Sequence, residues 1–379
     1  MSILRTLHTR VPSRLRRVVD PLADCAHLLQ HLRVELWSVS GQEKQSGLPL
    51  SILCAVNKQE KHYLYHLLFS SVASERKLGP VWLSALDRKT EGLAADHSLI
   101  IVQVRKPQFA AMRERGYLTI PSWVKGSVAL PLDPKVLHSR SVQSDFKKMR
   151  QLGLEYETTR KAEDLEAFYR HMYVPYMQLA HGETAYIETC GELGRAFRDW
   201  EILFVKKDGE RIAGKFIGYG DNGPSLYRVG IRGGDRQYIK DRVVSCVYQL
   251  SFQYLTERGF KNAELAWSRS FLNDGVLRYK QKLSQGITGS SPSGLALKVM
   301  SYTPATQSFL RNNPFISETA AGLRGVIFRD VAAITDPEIK QINKDYWHPG
   351  LQGLYIHRFP EAGVPCEQLT GELLPLLAN

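Results

Sequence analysis

A glycine pair between a strand and a helix is the first place where this chain's residues could do chemistry. Ser225-Leu-Tyr-Arg-Val-Gly-Ile231 reads as a strand and runs into Arg232-Gly233-Gly234-Asp235-Arg236, with a helical pattern following at once. Glycine lets a backbone approach a ligand closely, and the first N–H groups of a helix have no partner of their own. A phosphate suits such a turn. Arg232, Gly233, Gly234, Arg236 and Lys240 are therefore the candidates for holding a phosphorylated cofactor at one edge of a mixed sheet. Backbone N–H groups would face the pyrophosphate, and the cations would add charge-assisted bonds. The same residues also suit a plain turn with solvated arginines.

A proton acceptor is harder to place. His181, in His181-Gly182-Glu183 after Tyr173-Val-Pro-Tyr176, is one candidate, because histidine titrates near neutral pH. It also suits an ordinary loop. Glu264 is the other candidate. A carboxylate on a sheet strand is costly unless paired or solvated, so a pair with Arg228 is the structural alternative. Other chemistries lack their motifs. Ser268 and Ser270 have no Gly-x-Ser-x-Gly elbow, and there is no Walker loop, HExxH or Gly-x-Gly-x-x-Gly.

The elements that must position these residues read as alternating α and β. Strands are predicted at Leu50 to Val56, Val81 to Ala85, Ser98 to Val104, Tyr117 to Ile120, Val124 to Leu130 and Leu154 to Glu157. Helices are predicted at Lys61 to Ser70, Pro107 to Arg115 and Asp133 to Gln151. Another covers Ala162 to Leu179, bent or broken at Val174-Pro175. A hairpin turns on Asp208-Gly209 between Ile202–Val205 and Ile212–Tyr219. One long helix is predicted from Arg236 to Arg258, then a strand at Ala263 to Trp267 and a helix from Asp274 to Leu283. Residues 1–47 read as a basic helical lead-in, with Arg5, Arg10, Arg14, Arg16 and Arg17 ahead of Leu22, Ala26, Leu29 and Leu32. Residues 301–379 read as an irregular extension.

This order carries a resemblance. Leu226-Tyr-Arg-Val-Gly-Ile-Arg232, Lys240, Gly259-Phe260 and Tyr279-Lys280-Gln-Lys-Leu283 are similar to the core of the GNAT (Gcn5-related N-acetyltransferase) superfamily. More narrowly, they resemble its FemAB-like and CelD-like branch, also labelled BioF2-like acetyltransferases. Glu264-Leu265-Ala266 stands where the branch tends to show Asp-Leu-Gly, and Ser284 where glycine is usual. The resemblance implies an α/β (α+β) fold, a GNAT-like mixed sheet flanked by helices. It further implies two tandem GNAT-like subdomains, at 48–139 and 140–300. It implies an acyl-CoA co-substrate, from acetyl-CoA to longer chains, and no metal. Lys280 would contact substrate or stabilise the developing oxyanion, and Tyr279 would protonate the leaving thiolate.

Composition sets the partners that these readings allow. The chain has 379 residues, a formal net charge of +12 and 43% hydrophobic residues. That is a globular composition, and the charge suits an anionic partner, though a basic balance can also carry no specific role. Five scattered cysteines without a Cys-x-x-Cys pair point to a reducing compartment, and no run of about 18 apolar residues suggests a membrane span. A cytoplasmic protein is expected, with peripheral contact to the inner membrane face through the basic N-terminus as an added option. The leading reading is an N-acyltransferase that moves an acyl group from acyl-CoA or acyl carrier protein to a small-molecule amine acceptor. A FemAB-like ligase using aminoacyl-tRNA is the second. A non-enzymatic basic scaffold for membrane or RNA, through Arg5 to Arg17 and Lys147-Lys148-Met149-Arg150, is the third.

Overall fold

The computed structural model describes residues 32–182, 185–283, 285–330, 335–359 and 371–373. The basic cluster Arg5 to Arg17 and Glu183 lie outside the described residues. The chain divides into two units, 1–119 with 293–309 and 360–368, and 120–292 with 310–359 and 369–379. Each carries its own mixed sheet with helices against it.

In the first unit the strands are β1 (Arg33–Glu43), β2 (Pro49–Ala55), β3 (Phe69–Trp82), β4 (Leu99–Arg105) and β13 (Ser293–Val299), with β5 (Leu118–Pro121) leading out. The sheet order is β3-β1-β2-β4-β13-β5. Helix α1 (Lys58–Leu68) follows β2 and starts on the Asn57 side chain, which accepts from Glu60 N at 2.9 Å. Leu36, Leu53, Ile100, Val102, Phe109 and Met112 form the core. β1 corrects the expected helical lead-in over residues 33–43. Its pairing with β3 shifts register after Leu36 and after Ser40, so its apolar residues do not alternate as a flat strand would.

The second unit holds β6 (Trp123–Ala129), β7 (Glu155–Thr159), β8 (Asp199–Lys207), β9 (Glu210–Gly220), β10 (Gly223–Ile231), β11 (Asn262–Arg269) and β12 (Gly286–Ser290). Their order is β12-β6-β11-β10-β9-β8-β7. β6 pairs with β11 from Asn262↔Ala129 onward, so the division of the chain falls before β6 rather than at residue 139. Helices α2 (Arg140–Gln151) and α3 (Val243–Glu257) share one core with the sheet, through Val142, Leu203, Ile217, Leu226, Val247 and Leu250.

Two helices differ from expectation. The segment before Pro175 is a π-turn, Tyr169–Tyr173, and the helix resumes over Val174–His181. The wider turn takes up the hydrogen bond that proline cannot make. The Arg236–Lys240 helix stops short of α3, because Arg242 adopts φ 61. Asp241 and Arg242 there engage Lys148 and Ser144 of α2.

The C-terminal region is not irregular. β14 (Phe315–Thr319), β15 (Gly322–Arg329), β16 (Leu354–Arg358) and β17 (Gly371–Leu373) form a third sheet, and the Asp336–Tyr346 helix adds Ile342 to its core. Short strands separated by polar loops left little periodic signal. No helix among the described residues is long and apolar enough to cross a membrane.

Candidate active site

The centre of the second unit's sheet is deliberately imperfect. β10 and β11 run parallel and pair only at Ser225↔Glu264 and Leu226↔Leu265. At that level β10 gains a residue against β9, since Leu226↔Ile217 is followed by Arg228↔Phe216. β11 gains one against β6, since Leu265↔Gly126 is followed by Ser268↔Val124. Bulges bend and twist a strand. Two at one level make neighbouring parallel strands diverge, which leaves backbone groups of both facing a gap.

Lys280 is placed on that gap. It lies on helix α4 (Gly275–Gln281), whose first turn is capped by Asp274; the carboxylate accepts from Val276 N at 3.0 Å and Leu277 N at 2.9 Å. The Lys280 side chain is 1% exposed. Its Nζ donates to Leu265 O (3.2 Å), Ala266 O (2.5 Å) and Trp267 O (3.3 Å). The β11 bulge turns three consecutive carbonyls toward one point, and one ammonium has three hydrogens to give them. Burial brings its pKa down to about 7, with Asp274 opposing and Arg228 assisting.

Two further cations lie in the same interior. Arg228, just past the β10 bulge, donates from Nε to Glu188 Oε2 at 3.0 Å and lies 4.0 Å from the Tyr227 ring centroid. Lys215 on β9 sits opposite Val229 and is 1% exposed, with Nζ 4.1 Å from the centroid of Tyr248 on α3. Burial, then Lys280 and Arg228, push Lys215 well below the usual lysine range. Neither Lys215 nor the Arg228–Glu188 pair was singled out from the sequence. A lysine inside an otherwise apolar strand, Ile212-Ala-Gly-Lys-Phe-Ile217, was the available signal.

The other candidates are dispersed. Tyr279 packs tilted against Tyr248, ring centroids 5.5 Å apart, and burial raises its hydroxyl pKa, with Ser245 opposing. It therefore keeps its proton at neutral pH. Glu264 pairs with Lys125 at 3.2 Å, and not with Arg228. His181 ends the Val174–His181 helix, and its side chain lies outside the described residues.

The glycine turn is built differently from an open phosphate cradle. Gly233 and Gly234 both have positive φ, 59° and 62°. A Cβ on Gly234 would lie 2.7 Å from Pro175 O, so this glycine is needed for packing on the Val174–His181 helix. Asp235 already caps the short helix that follows, accepting from Gln237 N at 2.6 Å. Arg232 reaches Glu210 at 2.7 Å on the surface, while Arg236 and Lys240 are exposed. Side chains, rather than free helix N–H groups, are what this turn offers an anion. Gly234→Ala should therefore cost about 3 kcal/mol in urea unfolding, and Gly233→Ala about 1 kcal/mol, the cost of the left-handed backbone alone. Equal losses would remove the packing explanation.

No protein-family model matches the chain, and no curated protein matches it in sequence. Among solved structures it is similar to L-PGS from Bacillus licheniformis, with 12% identity, a TM-score of 0.34, and 73% of this chain and 84% of that one covered. It is similar to a GCN5-related N-acetyltransferase from Sphaerobacter thermophilus, with 13% identity, TM-score 0.34, and coverages of 70% and 77%. It is also similar to FemX, with 10% identity, TM-score 0.36, and coverages of 68% and 83%. These structures differ widely from the chain in sequence, and the assignment stands on strand order. An antiparallel run β7 to β10, a helical crossover, and a parallel β11 that splays from β10 give the second unit a mixed sheet flanked by helices, the fold class that the sequence resemblance implied.

Proposed function

We propose that the chain is an N-acyltransferase that moves an acyl group from a thioester, acyl-CoA or an acyl carrier protein, to a small amine acceptor. The observation that carries this reading is the doubly bulged gap between β10 and β11, with the Lys280 ammonium seated at it. An extended, amide-bearing arm can pair with backbone groups left free along a strand edge. Arg232, Arg236 and Lys240 would meet its phosphates by side chain. The thioester supplies a carbonyl that is already activated. Lys280 stabilises negative charge developing on the carbonyl oxygen, exchanging one of its three strand carbonyls for it. Tyr279, held protonated, gives a proton to the departing thiolate. His181 and Glu264 remain candidates for accepting the ammonium proton.

The test is the melting temperature of the purified protein against acetyl-CoA, long-chain acyl-CoA, acyl carrier protein and tRNA. Binding to the folded state raises Tm by mass action, about 2.7 kcal/mol of stabilisation at a hundredfold excess over Kd. A rise with one thioester, reduced when Arg236 and Lys240 are changed to alanine, is expected. No response to any thioester, with a salt-dependent response to tRNA, would instead favour the aminoacyl-tRNA ligase, which the net charge of +12 also suits.

A further inference from the structure

The interior around the gap holds one basic group too many. Arg228 has Glu188. Lys280 has three carbonyls and the field of Asp274. Lys215 has only the face of Tyr248, and among the described residues no carboxylate or carbonyl accepts from it. An unpaired buried ammonium is among the costliest groups a core can contain, and a methionine would fill the same space without that cost. Lys215 is also one strand away from the gap, opposite Val229 and just past the β10 bulge. The groups that act on it or on Tyr248 are Lys280, Arg228 and Tyr176, and none is acidic near neutral pH.

Resting on the acyl-transfer reading of the same site, we infer that Lys215, flanked by Arg228 and Lys280, receives a carboxylate carried by one of the two substrates. The unmatched charge is a single one, which suits a carboxylate monoanion better than a phosphate dianion. Tyr248 covers the amine until that anion arrives. The site then discriminates by charge. A substrate without the carboxylate would leave Lys215 unpaired, the arrangement by which buried polar groups reject analogues. The carboxylate belongs either to the amine acceptor, as in an amino acid, or to the far end of the acyl group, as in a succinyl thioester.

Binding should also move a proton. Burial and its two cationic neighbours favour the uncharged form of Lys215, so pairing with a carboxylate favours the charged form and draws protons from solvent. The experiment compares wild type with Lys215→Met, using acetyl-CoA, succinyl-CoA and glycine as probes. Thermal shift is read alongside calorimetry at pH 8 in two buffers of different ionisation enthalpy. Lys215→Met alone should raise Tm by roughly 5 °C, since it removes a buried amine that no acceptor satisfies. Wild type should bind succinyl-CoA, or glycine in the presence of acetyl-CoA, with net proton uptake, and the variant should lose both the preference and the uptake. A gain with succinyl-CoA places the carboxylate on the acyl group; a gain with glycine places it on the acceptor. If acetyl-CoA and succinyl-CoA bind alike without proton uptake and glycine adds nothing, the inference is overturned while acyl transfer stands. If no thioester binds, both fall. Should Lys215→Met fail to fold, proton uptake by wild type decides alone.

Discussion

Lys280→Met should lower acyl transfer by a factor of about 10² to 10³, the usual effect of removing one group that stabilises developing negative charge. It should also change stability in a direction opposite to Lys215→Met. Both lysines are buried, but Lys280 satisfies Leu265 O, Ala266 O and Trp267 O. Its loss leaves Ala266 O and Trp267 O without a donor where β11 has no ladder partner, at about 1–3 kcal/mol for each that stays dry. A net loss of about 3 kcal/mol near pH 8 follows.

The pH dependence identifies Lys280 as the cause. Its folded pKa, about 7, lies below the ordinary 10.5. Between those values the unfolded chain binds more protons than the native one, so stability rises as pH rises. The informative window is pH 7 to 8.5, because the buried thiols Cys54 and Cys246, with pKa values pushed up to about 11 and about 12, begin to oppose the trend above it. Lys215 contributes in the same direction as Lys280, so the slope should fall in Lys280→Met and nearly vanish in the double variant. Chemical unfolding at three pH values measures this. An unchanged slope in Lys280→Met would show that the lysine is not held in a depressed state.

Gly230→Ala should be strongly damaging to the second unit. A Cβ there would lie 2.6 Å from both Met172 C and Tyr173 N, backbone atoms of the π-turn that cannot swing aside as a side chain does. Either β10 or the turn must move, at about 3 kcal/mol and a Tm fall of roughly 6–12 °C. Gly220→Ala, with nothing within 4 Å of its Cβ, is the control and should stay within about 0.5 kcal/mol. Acyl transfer should fall in the first variant beyond what unfolding explains, because β10 forms one wall of the gap.

Much of the second unit was legible in the sequence. The Asp208-Gly209 hairpin, the strand into Arg232, the helix ended by Gly259 and the helix opened by Asp274 rest on local signals, and local signals are what a sequence displays. Lys280 became a candidate because its motif is local too. Lys215 was missed because its meaning depends on Tyr248, Arg228 and Lys280, which are brought to it by three other elements. The gap was missed because a bulge is a mismatch between two strands and has no signature in either alone. β1, β3 and the C-terminal sheet went unseen for a similar reason. Their residues are committed to strands by partners distant in the chain, and β3 is mostly exposed from Ser70 to Lys77.

The pairing of β13 with β4 has a consequence for biosynthesis. Gln103 bonds across to Leu295, so the first unit's sheet cannot close until about 190 more residues have been made. At roughly 5–20 residues per second, β4 waits some 10–40 s after leaving the ribosome with an apolar edge, Leu99-Ile-Ile-Val102, open to other chains. The intervening segment, 120–292, is the larger part of the second unit and has a sheet of its own to form meanwhile. The yield of this protein should therefore respond to translation speed and to holdase chaperones more than its native stability suggests, and a chain that ends before Ser293 should aggregate through β4.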